Sequence, residues 1–169
     1  MSSSLSNLEF GRAKDPTVVC EILTEAVEWM IASPPYRALW EADEVALETI
    51  TQQLDHYHLG WLDNEPIITF QLTDHDPTFW PDVDDAAIYI HRIAVARKYA
   101  AQKTGRSVLP ELFAYAADQA LARDTKILRL DCDKTRPALG ELYVRCGFQY
   151  HSDIELRNYH GARYQKVLA

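Results

Sequence analysis

The sequence predicts one domain of mixed α/β structure, and three observations lead to this fold class. The chain has 169 residues, about the length of one domain, and 47% of them are apolar, which is enough to bury a core. Segments with helical apolar spacing alternate with segments that have strand spacing. The sequence contains no internal repeat, low-complexity tract or linker. We therefore expect a single domain over residues 1–169, with residues 1–4 frayed.

Apolar spacing and end signals place the individual elements. In chain order they are a strand at 5–12, helices at 16–32 and 41–54, strands at 56–62, 66–72 and 87–95, a helix at 106–122, a strand at 126–131, a helix at 136–145, and strands at 148–151 and 162–168. The first helix opens at Pro16, a residue favoured in a first turn, and ends at Ser33. The second is expected to turn Leu47 and Ile50 towards the core. Gly147 stops the last helix, as a C-terminal cap would.

The connections carry their own signals. Residues 63–65 are turn formers that suit a hairpin between two strands. An acidic loop at 74–85 precedes the strong strand at 87–95, and a polar connection at 96–105 leads into the next helix. Pro110 removes one backbone donor near the start of that helix and is expected to bend it.

Charge narrows the classes of partner. The formal net charge is −8, so the surface as a whole repels nucleic acid and anionic membranes. Residues 1–91 carry 3 basic and 17 acidic side chains, whereas residues 92–169 carry 14 basic and 8 acidic ones. The sequence predicts no nucleic-acid or membrane partner, but the basic half suits an anionic ligand and the acidic half a cationic one.

The cysteines and the first residues predict a cytoplasmic protein. Cys20, Cys132 and Cys146 are odd in number and lie among apolar neighbours, which is typical of reduced thiols in a core. The amino-terminal segment lacks the basic and apolar regions of a signal peptide, and no stretch approaches the ~18 apolar residues of a membrane span.

The sequence predicts no metal site. Residues 74–85 hold five aspartates, but they lack the central Gly and the final Glu of an EF-hand calcium loop. His56 and His58 fall on one strand face with no evident third ligand. For the acidic loop two interpretations stay open, a solvated surface or the rim of a cleft for a cationic amine.

One segment suits a phosphate. Residues 89–109 form a strand, a loop of small and basic residues with one glycine, and a helix start. Such a junction exposes unpaired N–H groups at the positive end of a helix dipole. Because strand-loop-helix units are common, a purely structural role is equally expected on this ground alone.

Together with a second segment, this junction resembles the GNAT superfamily of N-acetyltransferases. Residues 93–95 resemble the family's strand end, Tyr99 the aromatic before its loop, and residues 100–105 the loop that wraps the pyrophosphate of acetyl-CoA. Residues 130–148 resemble the second signature, with a Tyr followed four residues later by Gly-Phe. The resemblance implies a GNAT-like mixed, mostly antiparallel sheet of six to seven strands flanked by about four helices, and acetyl-CoA as the cofactor.

The resemblance also assigns cofactor-binding residues. They are Ile93, Ala94, Val95, Ala100, Ala101, Gln102, Lys103, Thr104, Gly105, Arg106, Ser107 and Arg136. Three depart from the family's pattern: Ala100 replaces the usual Arg or Gln, Lys103 the first Gly, and Arg136 a frequent Asn. The family's loop works chiefly through backbone N–H groups, so Ala100 leaves the cradle intact. Lys103 either crowds the phosphates or pairs with one.

Catalytic roles are implied for His91 and Tyr143. His91 shares a strand face with Tyr89 and Ile93, at a position where the family often has a Glu or His that accepts the amine proton. Tyr143 matches the general acid for the coenzyme A thiolate, since a phenol of pKa ~10 stays protonated at pH 7. A backbone N–H near Ile93 or Ala94 is expected to polarise the thioester carbonyl. Packing against the sheet is the alternative for both side chains.

The predicted function is direct transfer of an acetyl group to a primary amine through a tetrahedral intermediate. The expected acceptor is a small molecule, for which the acidic half favours a cation, and a protein N-terminus or lysine is the alternative acceptor. Candidate acceptor-pocket walls are Trp29, Trp40, Trp80 and Tyr89, and for Trp29 and Trp40 the alternative is an aromatic core. The three departures motivate a rival function, a catalytically silent acyl-CoA-binding or regulatory module. A protein-interaction domain is a third hypothesis, and edge strands favour a homodimer.

Overall fold

The computed structural model describes residues 5–34, 40–100 and 102–169, with side chains except at 103–107. The expected fraying of residues 1–4 and the cofactor contact of Ala101 lie outside the described residues. Among the described helices, none has the length and apolar character that would let it cross a bilayer.

Seven strands form one mixed sheet in the order β1-β2-β3-β4-β5-β7-β6. The strands are β1 (Leu8–Arg12), β2 (Tyr57–Leu62), β3 (Glu65–Thr73), β4 (Ile88–Val95), β5 (Ile127–Asp133), β6 (Gln149–Leu156) and β7 (Tyr159–Val167). The helices are α1 (Pro16–Ala32), α2 (Leu47–Gln52), α3 (Arg97–Ala100), α4 (Lys103–Leu121) and α5 (Pro137–Arg145). The pairs β1/β2, β2/β3, β5/β7 and β6/β7 are antiparallel, and β4/β5 is parallel. The predicted fold class is confirmed.

The chain divides into two compact units. Unit 1 comprises Met1–Gln71 and Arg92–Leu112, and unit 2 comprises Leu72–His91 and Phe113–Ala169. The single domain expected from the sequence therefore stays a prediction.

Unit 1 is organised by α1 and the β2–β3 hairpin. The Asp15 side chain caps α1 by accepting a hydrogen bond from the Thr17 N–H at 2.9 Å, and Pro16 occupies the first turn as predicted. The buried face of α1 belongs to a core that also includes residues of β2 and Ala94 of β4. The hairpin turns at Asp63 and Asn64, whose φ angles of 51° and 67° give the left-handed pair that suits right-twisted strands.

Two predicted boundaries in unit 1 are wrong. The second helix is reduced to α2, with Leu47 46% exposed, because local polar bonds compete with helix over residues 41–46. There the Glu41 N–H donates to a carboxylate oxygen of Glu44, and the Thr49 hydroxyl donates to the Asp43 carbonyl. The polar connection at 96–105 is also largely helical, since α3 and the first turn of α4 fill it.

Unit 2 is built on aromatic packing. Phe113, Tyr143 and Phe148 are buried together, with ring centroids 4.9 to 6.3 Å apart. Gly147 ends α5 with φ +93°, a conformation that glycine adopts without steric cost, as its predicted capping role requires.

Candidate active site

His91 lies in β4 beside the point where this strand stops pairing with β5. Its ring stacks on that of Tyr89 at 6.4 Å between centroids and 10° between planes, so the two share the strand face that alternation predicts. Among the described residues, the parallel ladder joins Ile88 and Tyr89 to Leu128 and Arg129 and goes no further. His91, whose side chain is 19% exposed, therefore lies two positions beyond the last residue of β4 that pairs with β5.

Two carboxylates accompany His91. One ligand atom each of Asp76, His91 and Asp131 lies within 4.8 Å of the others, and His91 Nε2 is 3.5 Å from Asp76 Oδ2. Asp76 Oδ1 accepts from the Phe79 N–H, whereas the buried Oδ2 has no hydrogen-bond partner in the described part of the chain. The Asp131 carboxylate accepts from the Tyr159 hydroxyl at 2.5 Å.

The environment of Asp131 favours its protonated form. Burial raises the pKa of Asp131 to about 6, the hydrogen bond from Tyr159 opposes this rise, and the charge of Asp76 adds to it. This group of acids was not predicted from the sequence, because Asp76 comes from a loop and Asp131 from a separate strand. The parallel register of the structure explains the grouping, because Asp131 lies two residues beyond Arg129 just as His91 lies two residues beyond Tyr89.

Trp80 anchors the acidic loop. Its indole is 2% exposed and lies 4.7 Å from the guanidinium of Arg163 and 5.0 Å from that of Arg129. Asp82 pairs with Arg163 at 2.6 Å and Asp85 pairs with Arg129 at 2.7 Å. The hydrogen bonds from Arg163 are the main reason why the pKa of Asp82 falls to about 2. Two arginines that lie near the Trp80 indole therefore bind aspartates of the acidic loop.

This burial corrects the role predicted for Trp80. A side chain that is 2% exposed offers almost no surface to an acceptor, so the structure indicates a packing role for Trp80. Tyr89 is buried as well, and its hydroxyl accepts a hydrogen bond from Arg129 at 3.2 Å. Trp29 and Trp40 in unit 1 are half-buried, and the guanidinium of Arg97 lies 4.2 Å from the Trp29 ring. For these two the acceptor role stays a prediction.

Tyr143 is buried in unit 2. Burial raises its pKa above the ordinary value, and the charges of Cys132 and Asp131 raise it further. The phenol is therefore protonated throughout the neutral range, as a proton donor must be. Its ring packs edge-on against Phe113 and Tyr164, so the packing interpretation of the sequence also applies.

The strand end assigned to the cofactor contains an unusual backbone conformation. Arg92 has φ 51°, a left-handed value that is costly for a residue with a Cβ, and it directly precedes Ile93, Ala94 and Val95. Its guanidinium donates to the Glu44 carbonyl at 2.9 Å, to the Glu44 carboxylate at 3.1 Å and to the Tyr57 hydroxyl at 3.1 Å. No sequence signal pointed to this residue.

The predicted phosphate loop is a helix start. Lys103, Thr104, Gly105, Arg106 and Ser107 form the first turn of α4. The first N–H groups of an α-helix have no intrahelical acceptor and carry the positive end of its dipole, so this backbone fits the phosphates of coenzyme A.

Groups just before α4 have partners within the chain. The backbone N–H of Ala100 donates to Ala96, and that of Gln102 donates to Tyr99, so these two donors are already used. Lys98 pairs with Glu65 at 2.9 Å. In unit 2, Arg136 is at the N-cap position of α5 and lines an open depression of about 710 Å³ together with Cys132 and Tyr164.

Comparison with known proteins identifies the family. The model of the family described as "Acetyltransferase (GNAT) family" matches residues 21–148 of the chain. The chain belongs to the GNAT acetyltransferase family. It is 26% identical over 144 residues to the "Uncharacterized N-acetyltransferase YesJ" of Bacillus subtilis, covering 81% of this chain and 78% of that protein.

Solved GNAT structures share the fold. An acetyltransferase from Streptococcus agalactiae superposes with a TM-score of 0.77 at 15% identity, covering 98% of each chain. The PaiA N-acetyltransferase of Thermoplasma acidophilum, solved in complex with coenzyme A, gives a TM-score of 0.64 at 12% identity over 95% of this chain and 98% of that one. The GNAT family uses acetyl-CoA, so acetyl-CoA is the cofactor of this acetyltransferase.

Proposed function

We propose that this GNAT chain transfers an acetyl group from acetyl-CoA to a primary amine of a small molecule. The observation that carries the proposal is the grouping of His91 with Asp76 and Asp131 where β4 stops pairing with β5. An imidazole that is partly exposed and flanked by carboxylates can accept a proton and hold the resulting charge. The name of the curated relative, an N-acetyltransferase, supports an amine as the acceptor.

His91 acts as the general base in this proposal. The imidazole removes a proton from the bound amine, which exposes the nitrogen lone pair. The Asp76 carboxylate, 3.5 Å from Nε2, stabilises the imidazolium that forms.

Tyr143 acts as the general acid. Its raised pKa keeps the phenol protonated, so it can donate a hydrogen bond and then a proton to a leaving thiolate. The same shift makes a free tyrosinate unfavourable, and the phenolic proton must therefore be restored in the same turnover.

Backbone groups of unit 1 hold the cofactor in this proposal. Bound acetyl-CoA supplies an activated acetyl thioester. The N–H groups in the first turn of α4 would bind its phosphates, and a backbone N–H near Ile93 or Ala94 would hold the carbonyl oxygen. Because backbone groups do this work, the Ala100 and Lys103 departures do not remove the cradle.

Acetyl-CoA titration and turnover test the proposal together. Calorimetry should detect acetyl-CoA binding, and coenzyme A should be released in the presence of primary amines. His91→Ala should lower kcat by about 10²- to 10⁴-fold and leave the acetyl-CoA Kd unchanged. His160→Ala removes an exposed histidine of the same unit and should leave kcat unchanged.

The role of Tyr143 as the general acid is tested with one variant and a matched control. Tyr143→Phe should lower kcat with little change in Tm, since only the hydroxyl is lost from the aromatic packing. Tyr150→Phe, at an exposed tyrosine, is the control. Full activity in Tyr143→Phe would assign Tyr143 to packing alone. Acetyl-CoA binding without acetyl transfer to any amine would favour the silent acyl-CoA-binding module.

A further inference from the structure

One carboxylate oxygen of Asp76 is buried beside His91 without a hydrogen-bond donor. The Asp76 side chain is 6% exposed, and its Oδ1 accepts from the Phe79 N–H, whereas Oδ2 has no hydrogen-bond partner in the described residues. His91 Nε2 lies 3.5 Å from Oδ2, which is longer than an ordinary hydrogen bond. A buried carboxylate oxygen without a donor is costly, so a cation that binds this oxygen would lower the free energy of the site.

A second carboxylate, that of Asp131, shares this position. One ligand atom each of Asp76, His91 and Asp131 lies within 4.8 Å of the others, and all three residues belong to unit 2. The Tyr159 hydroxyl donates to one oxygen of Asp131, which leaves the other oxygen able to bind a ligand. The charge of Asp76 raises the pKa of Asp131, as repulsion between two neighbouring carboxylates does. A cation between the two would relieve this repulsion.

We propose that Asp76, His91 and Asp131 bind a Zn²⁺ ion. These three residues are called the zinc triad below. An imidazole nitrogen and carboxylate oxygens are ligands that Zn²⁺ accepts, and three protein ligands leave one coordination position for water. Mg²⁺ and Ca²⁺ prefer oxygen ligands throughout, so the imidazole selects against both. The sequence predicted no metal site, because the ligands come from one loop and two strands that are far apart in the chain.

The spacing of the ligand atoms suits a tetrahedral metal ion. Ligands at about 2.0–2.2 Å from Zn²⁺ lie about 3.3–3.6 Å from one another in a tetrahedron. The distance of 3.5 Å between His91 Nε2 and Asp76 Oδ2 falls in this range. The ligand atom of Asp131 lies no more than 4.8 Å from either, so it has to approach by at most about 1.2 Å, which rotation about the soft χ2 torsion of an aspartate can supply.

Two positive side chains of unit 2 oppose a cation only weakly, because both are already paired. The charge of Arg163 acts on Asp131, but its guanidinium binds both carboxylate oxygens of Asp82. Arg129 pairs with Asp85 at 2.7 Å. The acidic loop therefore offsets the charges of these two arginines, and the carboxylates of the zinc triad keep their attraction for a cation.

Zn²⁺ in the zinc triad would inhibit acetyl transfer. A bond from His91 Nε2 to the metal ion uses the nitrogen lone pair with which this imidazole would accept the amine proton. The expected effect of Zn²⁺ is therefore reversible inhibition that a chelator removes. Inhibition rests on the proposed function, whereas Zn²⁺ binding itself does not.

Calorimetry of the intact chain tests the zinc triad without any turnover. The chain is stripped of metal ions with EDTA, dialysed, and titrated with ZnCl₂ or, at equal ionic strength, with MgCl₂. We expect one Zn²⁺ ion to bind per chain and no binding of Mg²⁺. CoCl₂ provides a second readout, because a Co²⁺ ion that takes the place of Zn²⁺ in a tetrahedral site has a strong visible absorption.

Three variants assign the bound ion to its ligands. Asp76→Asn and Asp131→Asn should each weaken Zn²⁺ binding by about 100-fold or more, since loss of an outer-shell partner alone costs about 10- to 100-fold. His75→Ala is the matched control, because it removes an exposed histidine whose Nδ1 lies 2.7 Å from an oxygen of Asp74, and it should leave the affinity unchanged. Asp131→Asn relieves the repulsion from Asp76 and is expected to fold, so a folding defect in Asp76→Asn would not prevent a decision.

The outcomes separate the zinc triad from the proposed function. Absence of ZnCl₂ binding, equal binding of MgCl₂ and ZnCl₂, an unchanged Zn²⁺ affinity in Asp131→Asn, or loss of Zn²⁺ binding in His75→Ala would each overturn the zinc triad. Zn²⁺ binding that depends on the triad, in a chain that transfers acetyl to no amine, would support the triad and refute the proposed function. Full acetyl transfer with Zn²⁺ bound to the triad would support the site and refute His91 as the base.

Discussion

The backbone angle φ of Arg92 determines which of two substitutions at this position, Ala or Gly, should give the more stable protein. The residue has φ 51° within β4, and its partly buried guanidinium makes three hydrogen bonds to Glu44 and Tyr57. Replacing it with either Ala or Gly removes all three bonds and leaves the buried Tyr57 hydroxyl without that donor. Both variants should therefore lose about 2–3 kcal/mol of unfolding free energy.

The difference between the two variants isolates the backbone. In an ordinary strand, Ala is more stabilising than Gly by about 0.5–1 kcal/mol, because Gly loses more conformational entropy on folding. At a left-handed residue the Cβ clash costs about 1–2 kcal/mol, which Gly avoids. We therefore expect Arg92→Gly to be more stable than Arg92→Ala by about 0.5–1 kcal/mol.

Urea denaturation of four variants measures this difference. Arg12 provides the control, since it is an exposed arginine in β1 that pairs in register with His58. There the order should reverse, with Arg12→Ala more stable than Arg12→Gly. If the Ala variant is more stable than the Gly variant at both positions, Arg92 does not have a left-handed backbone conformation. That result would refute the description of the end of β4 given above.

Two further predictions concern the cores of the units. Asp131→Asn should stabilise the protein by about 3 kcal/mol at pH 8 and have little effect near pH 4, measured by thermal unfolding. The pKa of Asp131 is about 6 in the folded protein and lower in the unfolded chain, so the folded state binds more protons between these two values and its stability falls as the pH rises. A stability difference between Asp131→Asn and the native protein that does not change with pH would contradict this. Gly60→Ala should cost about 1–3 kcal/mol, because an added Cβ would lie 2.7 Å from side-chain carbons of Ile68 and Phe10. Gly11→Ala, with its nearest contact at 3.5 Å, is the control and should be nearly neutral.

Most of the fold could be predicted from local sequence patterns. The helix from Pro16, the hairpin around residues 63–65 and the cap at Gly147 depend on interactions within a few residues of each other, so apolar spacing and turn chemistry identify them. The second helix could not be predicted correctly, because apolar periodicity does not register the side-chain bonds of Glu44 and Thr49 that hold residues 41–46 in turns.

In the candidate site, too, the sequence could identify some residues and not others. His91 and Tyr143 could be selected because single side chains have chemistry that acetyl transfer needs, and the family signatures give their positions. Asp76 could not be selected, since among five aspartates of one loop nothing in the sequence marks the one that folds against His91. Trp80 is a related case: an aromatic residue in a polar loop resembles a pocket wall, and only the structure shows that it is buried, with Arg129 and Arg163 close to its ring.

By itself the sequence determined the fold class, the order of the strands along the chain, the GNAT signatures and the residue types available for catalysis, because these follow from short-range patterns. The tertiary structure alone decided which aspartates accompany His91, which arginines neutralise the acidic loop, and where the backbone turns left-handed at Arg92. These features depend on contacts between residues far apart in the chain, and the free energy of such contacts is set by burial and register rather than by neighbouring residues.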